Sequence, residues 1–240
     1  MVNKTARALL DGLFRQHCAL CGLASRRHLP LCRDCNSELP VNDNCCYRCA
    51  IALPPDAAQV RLCGQCLLRP PPFDHVRAPW LYGEYLAALI QRWKFRRDHH
   101  LTALLATLWL SRAGPLDPVD ALVPVPLHWR RLFQRGFNQS ELLCRHWHAN
   151  VPALADAALL PRAVCRRRAT PAQSSLGARG RKRNLESAFT ANVRCDNLRI
   201  ALVDDVMTTG ATAAAVAACL RAAGAAHIEV WCLARTATPY

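Results

Sequence analysis

Acidic residues are scarce in this sequence. The chain has 17 Asp and Glu against 31 Lys and Arg, a formal net charge of +14. The shortage is deepest from Ala157 to Leu185, where no acid occurs. That excludes an internally compensated charge run, because basic residues without acids repel one another. The field as a whole attracts polyanions: nucleic acid, a phosphorylated ligand or an anionic membrane surface. No apolar run approaches the length of a membrane-spanning helix, so no span is expected. No apolar segment with a cleavage site follows Lys4, Arg7 and Asp11. A secretory leader is therefore not expected and a cytosolic chain is, which argues against disulfides. What is present suffices for a folded protein. Hydrophobic residues make up 52% of 240, enough for one medium domain and a small one.

Cysteine is the residue in excess. Nine of the 14 lie between residues 18 and 66, and eight of them form four Cys-x-x-Cys knuckles: Cys18/Cys21, Cys32/Cys35, Cys46/Cys49 and Cys63/Cys66. A two-residue spacer turns both thiolates of a knuckle toward one tetrahedral metal, and two knuckles complete a four-cysteine zinc site. Consecutive pairing predicts two zinc ribbons in tandem; interleaved pairing is the alternative that spacing leaves open. Cys45 is spare, and the spacer favours Cys46 over it. Four thiolates leave no open coordination position, so both zinc ions are expected to be structural. About fifty residues with little core would otherwise barely fold.

Pro70, Pro71 and Pro72 then stop any helix or central strand and mark a stiff junction near residue 70. Beyond it, His75–Tyr82 reads as an edge strand interrupted at Pro79. Tyr85–Phe95 reads as a helix with Leu86, Leu89, Ile90 and Trp93 on one face. Leu101–Leu110 reads as a second, core helix, Ala121–Val125 as a buried strand, Glu141–His148 as a helix and Ile228–Leu233 as a last strand.

The densest chemistry lies in Ile200 to Thr212, IALVDDVMTTGAT. Ile200, Ala201, Leu202 and Val203 read as a strand buried on both faces. Asp204 and Asp205 follow, then a small polar loop of Thr208, Thr209, Gly210, Ala211 and Thr212. Ala213 to Ala223 suits a helix that stops at Gly224. The loop thus sits between the C-terminal end of a strand and the N-terminus of a helix. Open α/β sheets bind ligands there, and unpaired backbone N–H groups favour a phosphate. The two carboxylates would repel that phosphate and suit a neighbouring diol or a magnesium ion. A ribose 5-phosphate satisfies both halves. The plainer alternative is a strand–turn–helix whose acids cap the helix.

Two basic segments complete the pattern. PLHWRRLFQRGFNQ follows the Ala121–Val125 strand at the same sheet edge as the Asp204 loop, offering Arg131 and Arg135 for bidentate phosphate contact. The acid-poor stretch carries Arg166, Arg167, Arg168, Arg179, Arg181, Lys182 and Arg183, read either as a basic lid or groove for a nucleic-acid backbone or as a solvated charge run. Aromatic residues for base stacking are sparse in that stretch, Phe189 being the nearest.

VDDVMTTGAT resembles the phosphoribosyl pyrophosphate (PRPP) motif of type I phosphoribosyltransferases. Carried over, Asp204 and Asp205 hold the ribose hydroxyls and Thr208 to Thr212 cradle the 5-phosphate. Four knuckles, RPPPF, WKF, VPVPLHWRRLFQRGFNQSELL, QSSLGARGRKRNLESAF and VDDVMTTGAT together resemble the ComF/GntX proteins, over nearly the whole chain. That resemblance implies a double zinc ribbon over residues 1–70 and a phosphoribosyltransferase-like α/β domain over 71–240, a parallel sheet flanked by helices. It implies PRPP with Mg2+ as ligand and a role in uptake and use of external single-stranded DNA, as in natural competence. Localisation is then cytoplasmic, peripheral at the inner membrane beside DNA-uptake proteins. Two alternatives stay open: a catalytically inactive single-stranded DNA-binding factor, and a true phosphoribosyltransferase of nucleotide metabolism.

Overall fold

The computed structural model describes residues 16–55, 61–96, 98–166 and 188–237. The short helix expected from Leu9, Leu10, Leu13 and Phe14 lies outside them. The cysteine-rich segment contains two short helices, α1 (Arg33–Ser37) and α2 (Gly64–Leu68). Each starts directly after the first cysteine of a knuckle. Cys32 is the N-cap of α1, and its Sγ accepts the Cys35 N–H at 3.4 Å. The helical turn is what brings the second thiol of that knuckle back toward the first.

The remainder is an α/β layer structure. Strand β1 (His75–Arg77) and strand β2 (Trp80–Leu81) are the two halves of the segment that Pro79 interrupts. Helices α3 (Glu84–Phe95) and α4 (Leu101–Leu110) follow. Strand β3 (Ala121–Pro124) leads into α5 (Trp129–Arg135) and α6 (Gln139–Asn150). Two short strands, β4 (Ala158–Leu159) and β5 (Val164–Arg166), precede β6 (Phe189–Ala191). Then come β7 (Arg199–Met207), α7 (Ala211–Ala222) and β8 (His227–Arg235). The main sheet runs β1-β8-β7-β3-β4 with β2 also on β8, and every pairing is parallel. Strands β5 and β6 form a small antiparallel pair.

A parallel sheet must be covered on both faces, and two cores do this. On one face α3, α4 and α6 bury Leu86, Ile90, Leu105, Trp109 and Leu143 against Ala201, Val203 and Trp231. Trp109 packs, with tilted rings, on Trp147 and on Trp231, ring centroids 4.3 and 5.2 Å apart. On the other face α7 buries Val216 and Leu220 against Ile200, Leu202 and Val230. The alternating assignment of Ile200, Ala201, Leu202 and Val203 to opposite cores follows from the two-residue period of a strand. The expected strand of four residues is in fact nine long. It continues through Asp204 and Asp205 to Met207, paired with β8 across Asp204↔Cys232 and Val206↔Ala234.

The cysteine-rich module shares these cores. Leu31 and Leu39 join the first, and Ala50 the second, beside Phe73 from just past the junction. The Asn42 amide donates to the carbonyls of Ala50 (2.9 Å) and Ala78 (3.0 Å), tying the module to the sheet edge. Phe73, directly after the proline run, is 2% exposed, and Pro72 O accepts from Arg221 Nε at 3.2 Å.

One buried charge stands in the first strand pair. Glu229 is 2% exposed and accepts from Arg77 Nε at 3.0 Å and Trp231 Nε1 at 2.9 Å. Burial alone would raise its pKa, but His75, Arg77 and Trp231 outweigh burial and hold the carboxyl well below the usual range. Its stabilising contribution is therefore complete above the unfolded pKa of about 4.3 and is lost as pH falls through the lower folded value. Glu229→Gln is expected to cost about 1–3 kcal/mol at neutral pH, since Arg77 loses a buried charged acceptor but keeps Asp117 and the carbonyls of Ala113 and Pro115. Urea midpoints measured down a pH series check this: the gap between variant and wild type should close in acid, and a gap independent of pH would contradict the assignment.

Candidate functional site

The site forms where β7 ends. Its last acids sit at the C-terminal edge of the sheet, and the chain then turns through Thr208, Thr209 and Gly210 into α7. Gly210 is the N-cap and takes φ +76°, in the left-handed region. A Cβ there would meet Met207 Cε at 2.5 Å, a methyl that can swing away, so it is the backbone conformation that favours glycine. Thr208, Thr209 and Ala211 are exposed and Thr212 half-buried. Thr209 Oγ1 accepts the Ala211 N–H at 3.3 Å, an internal bond that an incoming anion would compete with at the start of this twelve-residue helix.

The paired acids are held differently from one another. Asp205 Oδ2 lies 2.8 Å from Lys94 Nζ, near the C-terminal end of α3, with both side chains largely buried. Asp204 Oδ1 accepts the Asp205 N–H at 2.8 Å and faces Ser140 Oγ at 3.5 Å, at the start of α6. Burial, and then the Asp205 charge, push the Asp204 carboxyl up to about 7, against the pull of its hydrogen bonds and of Lys94. Two adjacent carboxylates in a recess cannot both be fully ionised without a cation or a set of donors. Lys94 supplies one such cation, on Asp205, and a ligand bringing hydroxyl donors or further positive charge would suit the remaining acceptors.

Arginines surround the recess. The segment after β3 forms α5, capped by the His128 side chain, whose Nδ1 accepts the Arg130 N–H at 3.3 Å, and closed by Gly136 at φ +82°. Burial, followed by Arg166, Arg130 and Arg131, lowers the His128 pKa and keeps the imidazole neutral for that cap. Arg135 donates to Gln139 Oε1 at 3.0 Å and lies over the Phe95 ring. Burial lowers its pKa while the Asp205 charge raises it. Arg131 is exposed on the same helix. Arg166, at the end of β5, stacks over Phe189 and feels Arg131 and Asp204. Arg166 is thus the one member of the expected nucleic-acid set within the described residues. Arg167, Arg168, Arg179, Arg181, Lys182 and Arg183 lie outside them.

The eight knuckle cysteines gather as Cys18, Cys21, Cys32 and Cys35, and as Cys46, Cys49, Cys63 and Cys66. Within each group the sulfurs all lie within 4.8 Å of one another. This is the consecutive pairing, not the interleaved one. Sulfurs on a tetrahedron with 2.3 Å zinc bonds stand about 3.8 Å apart. The Cys21–Cys32 and Cys49–Cys63 pairs stand 3.8 and 3.7 Å apart. Both tetrads thus have the geometry of structural zinc sites. Cys45 belongs to neither; it pairs in an isolated bridge with Ala52, and burial raises its thiol pKa.

Three residues matter at the site that no motif singled out for it. Lys94 reads from sequence as part of a basic cluster with Arg96 and Arg97, open to either a solvated helix end or a ligand role, and the fold lays it on Asp205. Ser140 is brought to Asp204 from α6. Arg235, 3% exposed at the end of β8, donates to Cys49 O at 3.0 Å, to Met207 O at 3.1 Å and to Thr208 O. One guanidinium therefore joins the second cysteine tetrad to the start of the Thr-Thr-Gly loop. Only the WKF tripeptide around Lys94 carried any hint of this in sequence.

Comparison with known proteins agrees with this architecture. A family model described as a double zinc ribbon domain matches residues 9–67. The chain is 37% identical over 229 residues to the DNA utilization protein YhgH of Salmonella typhimurium, covering 91% of this chain and 96% of that one. It is 33% identical over 218 residues to competence protein F of Haemophilus influenzae, covering 87% and 86%. The chain belongs to the ComF/GntX family. Among solved structures, a glutamine PRPP amidotransferase from B. subtilis aligns with 56% of this chain and 25% of its own, at 16% identity and a TM-score of 0.36. Among the described residues of this family member no helix is long and apolar enough to cross a membrane.

Proposed function

We propose that this chain binds a ribose 5-phosphate, PRPP in the first instance, and acts on or with single-stranded DNA during the uptake and use of external DNA. The observation that carries the sugar-phosphate half is the juxtaposition at the end of β7. Asp204 and Asp205 lie in a recess with Lys94 on one of them, and the exposed Thr208–Gly210 turn opens onto the N-terminus of α7. In this reading the acids accept the ribose hydroxyls and the turn holds the 5-phosphate. Arg131 and Arg135 face the pyrophosphate. Two carboxylates alone make no cage for magnesium, but they suit an ion that arrives on ligand phosphates and keeps most of its waters. When bound, Mg2+ would neutralise pyrophosphate charge beside Asp204 and Asp205. The DNA half is supported by the names of the relatives and by the basic surface around α5. The chain works in the cytoplasm, beside uptake machinery at the inner membrane.

Calorimetric titration of PRPP with Mg2+ into the zinc-loaded protein tests the sugar-phosphate half. Wild type is expected to bind, and Asp204→Asn/Asp205→Asn to lose binding by about a hundredfold or more, because two charge-assisted sets of hydrogen bonds are removed. The affinity should also rise with pH through about 7, as the Asp204 carboxyl ionises and becomes a full acceptor. Asp205, Lys94, Arg166 and Cys232 are the ionisable groups around it. Asp204→Asn alone removes this component and leaves the titration of the ligand's own phosphate as the reference. Equal binding by wild type and the double variant would overturn the assignment.

A further inference from the structure

Helix α5 buries none of its seven side chains. It is fixed by its ends, through the His128 cap and the left-handed Gly136, not by packing. Yet three of its exposed positions are large and apolar: Trp129 is 63% exposed, Leu132 43% and Phe133 86%. Spacings of three and four put these side chains on one face of the helix. An apolar face of this kind in water marks an interaction site more often than a scaffold. Its surroundings define the partner. No acid occurs from Ala121 to Ser140. The Arg130 guanidinium lies 5.3 Å from the Trp129 ring centroid, and Arg135 lies 5.2 Å from that of Phe95, itself 69% exposed. Flat rings open to solvent, bordered by guanidinium groups, match a polymer with a π-face on every unit and a phosphate between units.

We infer that the exposed face of α5, with Phe95 beside it, is a base-stacking platform for single-stranded DNA, on which Trp129 and Phe133 take the bases and Arg130 the backbone. This rests on the reading above that single-stranded DNA is a partner, and moves the contact away from the acid-poor stretch to a helix that carries aromatics. The location is apt: α5 follows the C-terminal end of β3, at the sheet edge where β7 delivers Asp204 and Asp205, and Arg135 already feels the Asp205 charge. A strand on the platform would run beside the sugar-phosphate recess. Stacking tolerates any base, so the platform binds without reading sequence.

The test is fluorescence anisotropy of a labelled oligothymidine and of an abasic strand of equal length, with the zinc-loaded full chain at one fixed salt concentration. The wild type is expected to prefer the oligothymidine by about tenfold or more, as stacking of one or two bases supplies. Trp129→Ala/Phe133→Ala should lose that preference and bind both strands as the wild type binds the abasic one. Both residues are exposed, so the variant should keep the wild-type circular dichroism. Equal wild-type affinity for the two strands overturns the platform while leaving a DNA partner in place. No binding of either strand overturns the partner reading as well. An unchanged preference in the variant overturns the platform. So does a variant that loses only self-association or adhesion to phosphatidylglycerol vesicles, because the face then serves a second copy or a membrane.

Discussion

A chain carrying Cys66→Ser is expected to purify with one zinc per molecule instead of two and to melt about 10 °C or more below the wild type. Cys66 is buried in the second tetrad with Cys46, Cys49 and Cys63. Structural zinc contributes on the order of 10–16 kcal/mol to small cysteine modules. Losing even a third of that in a chain of this size moves the midpoint by roughly 10 °C. Two features make the effect global. Ala50, between the two knuckles, is fully buried in the core beneath α7. The carbonyl of Cys49 is held by Arg235, whose other bonds reach Met207 and the Thr208–Gly210 turn. Cys45→Ser is the control: Cys45 is adjacent in sequence but outside the tetrad, so zinc content should stay at two. Elemental analysis with thermal melts reads both quantities. A Cys66→Ser chain that retained two zinc ions, or a chelated wild type that melted unchanged, would sink the structural-zinc reading.

Arg235→Met should uncouple the loop from the ribbon without removing the metal. The guanidinium is buried, and its partners are the carbonyls of Cys49, Met207, Thr208 and Thr236 and the Thr236 hydroxyl. Methionine fills much of the volume but strands several acceptors. Each buried, unpaired acceptor costs about 1–3 kcal/mol, so a loss of about 3–5 kcal/mol in unfolding free energy is expected, with two zinc ions still bound. PRPP affinity should fall at least about tenfold, because Thr208 begins the turn proposed above to receive the phosphate. Arg235→Lys keeps charge but not the planar fork and should recover little of either property. Chemical denaturation, zinc analysis and calorimetry on the same preparations separate the effects. Full PRPP affinity in Arg235→Met would show that the loop holds its shape without this anchor.

Much of this molecule was legible in one dimension. Helix α3 buries the four residues that a helical period selects, Leu86, Leu89, Ile90 and Trp93, because an amphipathic stripe has few ways to pack. The knuckles were legible because a two-residue spacer turns both thiolates toward one metal, and the strand–loop–helix around Gly210 because an apolar run, a small polar loop and an alanine-rich run follow one another; the left-handed φ of Gly210 is a finding of the structure. All of these are local rules, in which the answer lies within a few residues of the signal. The chain by itself thus determined the longer helices and the buried strands, the two cysteine modules and the strand–loop–helix that presents Asp204 and Asp205, but not α1, α2, α5 or the short strands β4 to β6. Tertiary structure decided what spacing cannot. The consecutive pairing of knuckles depends on how α1 and α2 turn the second half of each tetrad. The extension of β7 through both acids depends on β8 offering partners out to Arg235. Lys94 on Asp205, Ser140 beside Asp204, Arg235 between Cys49 and Thr208, and the solvent-facing rings of α5 all arise from elements distant in sequence that the parallel sheet brings to one edge. A polar side chain shows no period and no motif until the core has placed its helix, so only the packed fold could assign these partners.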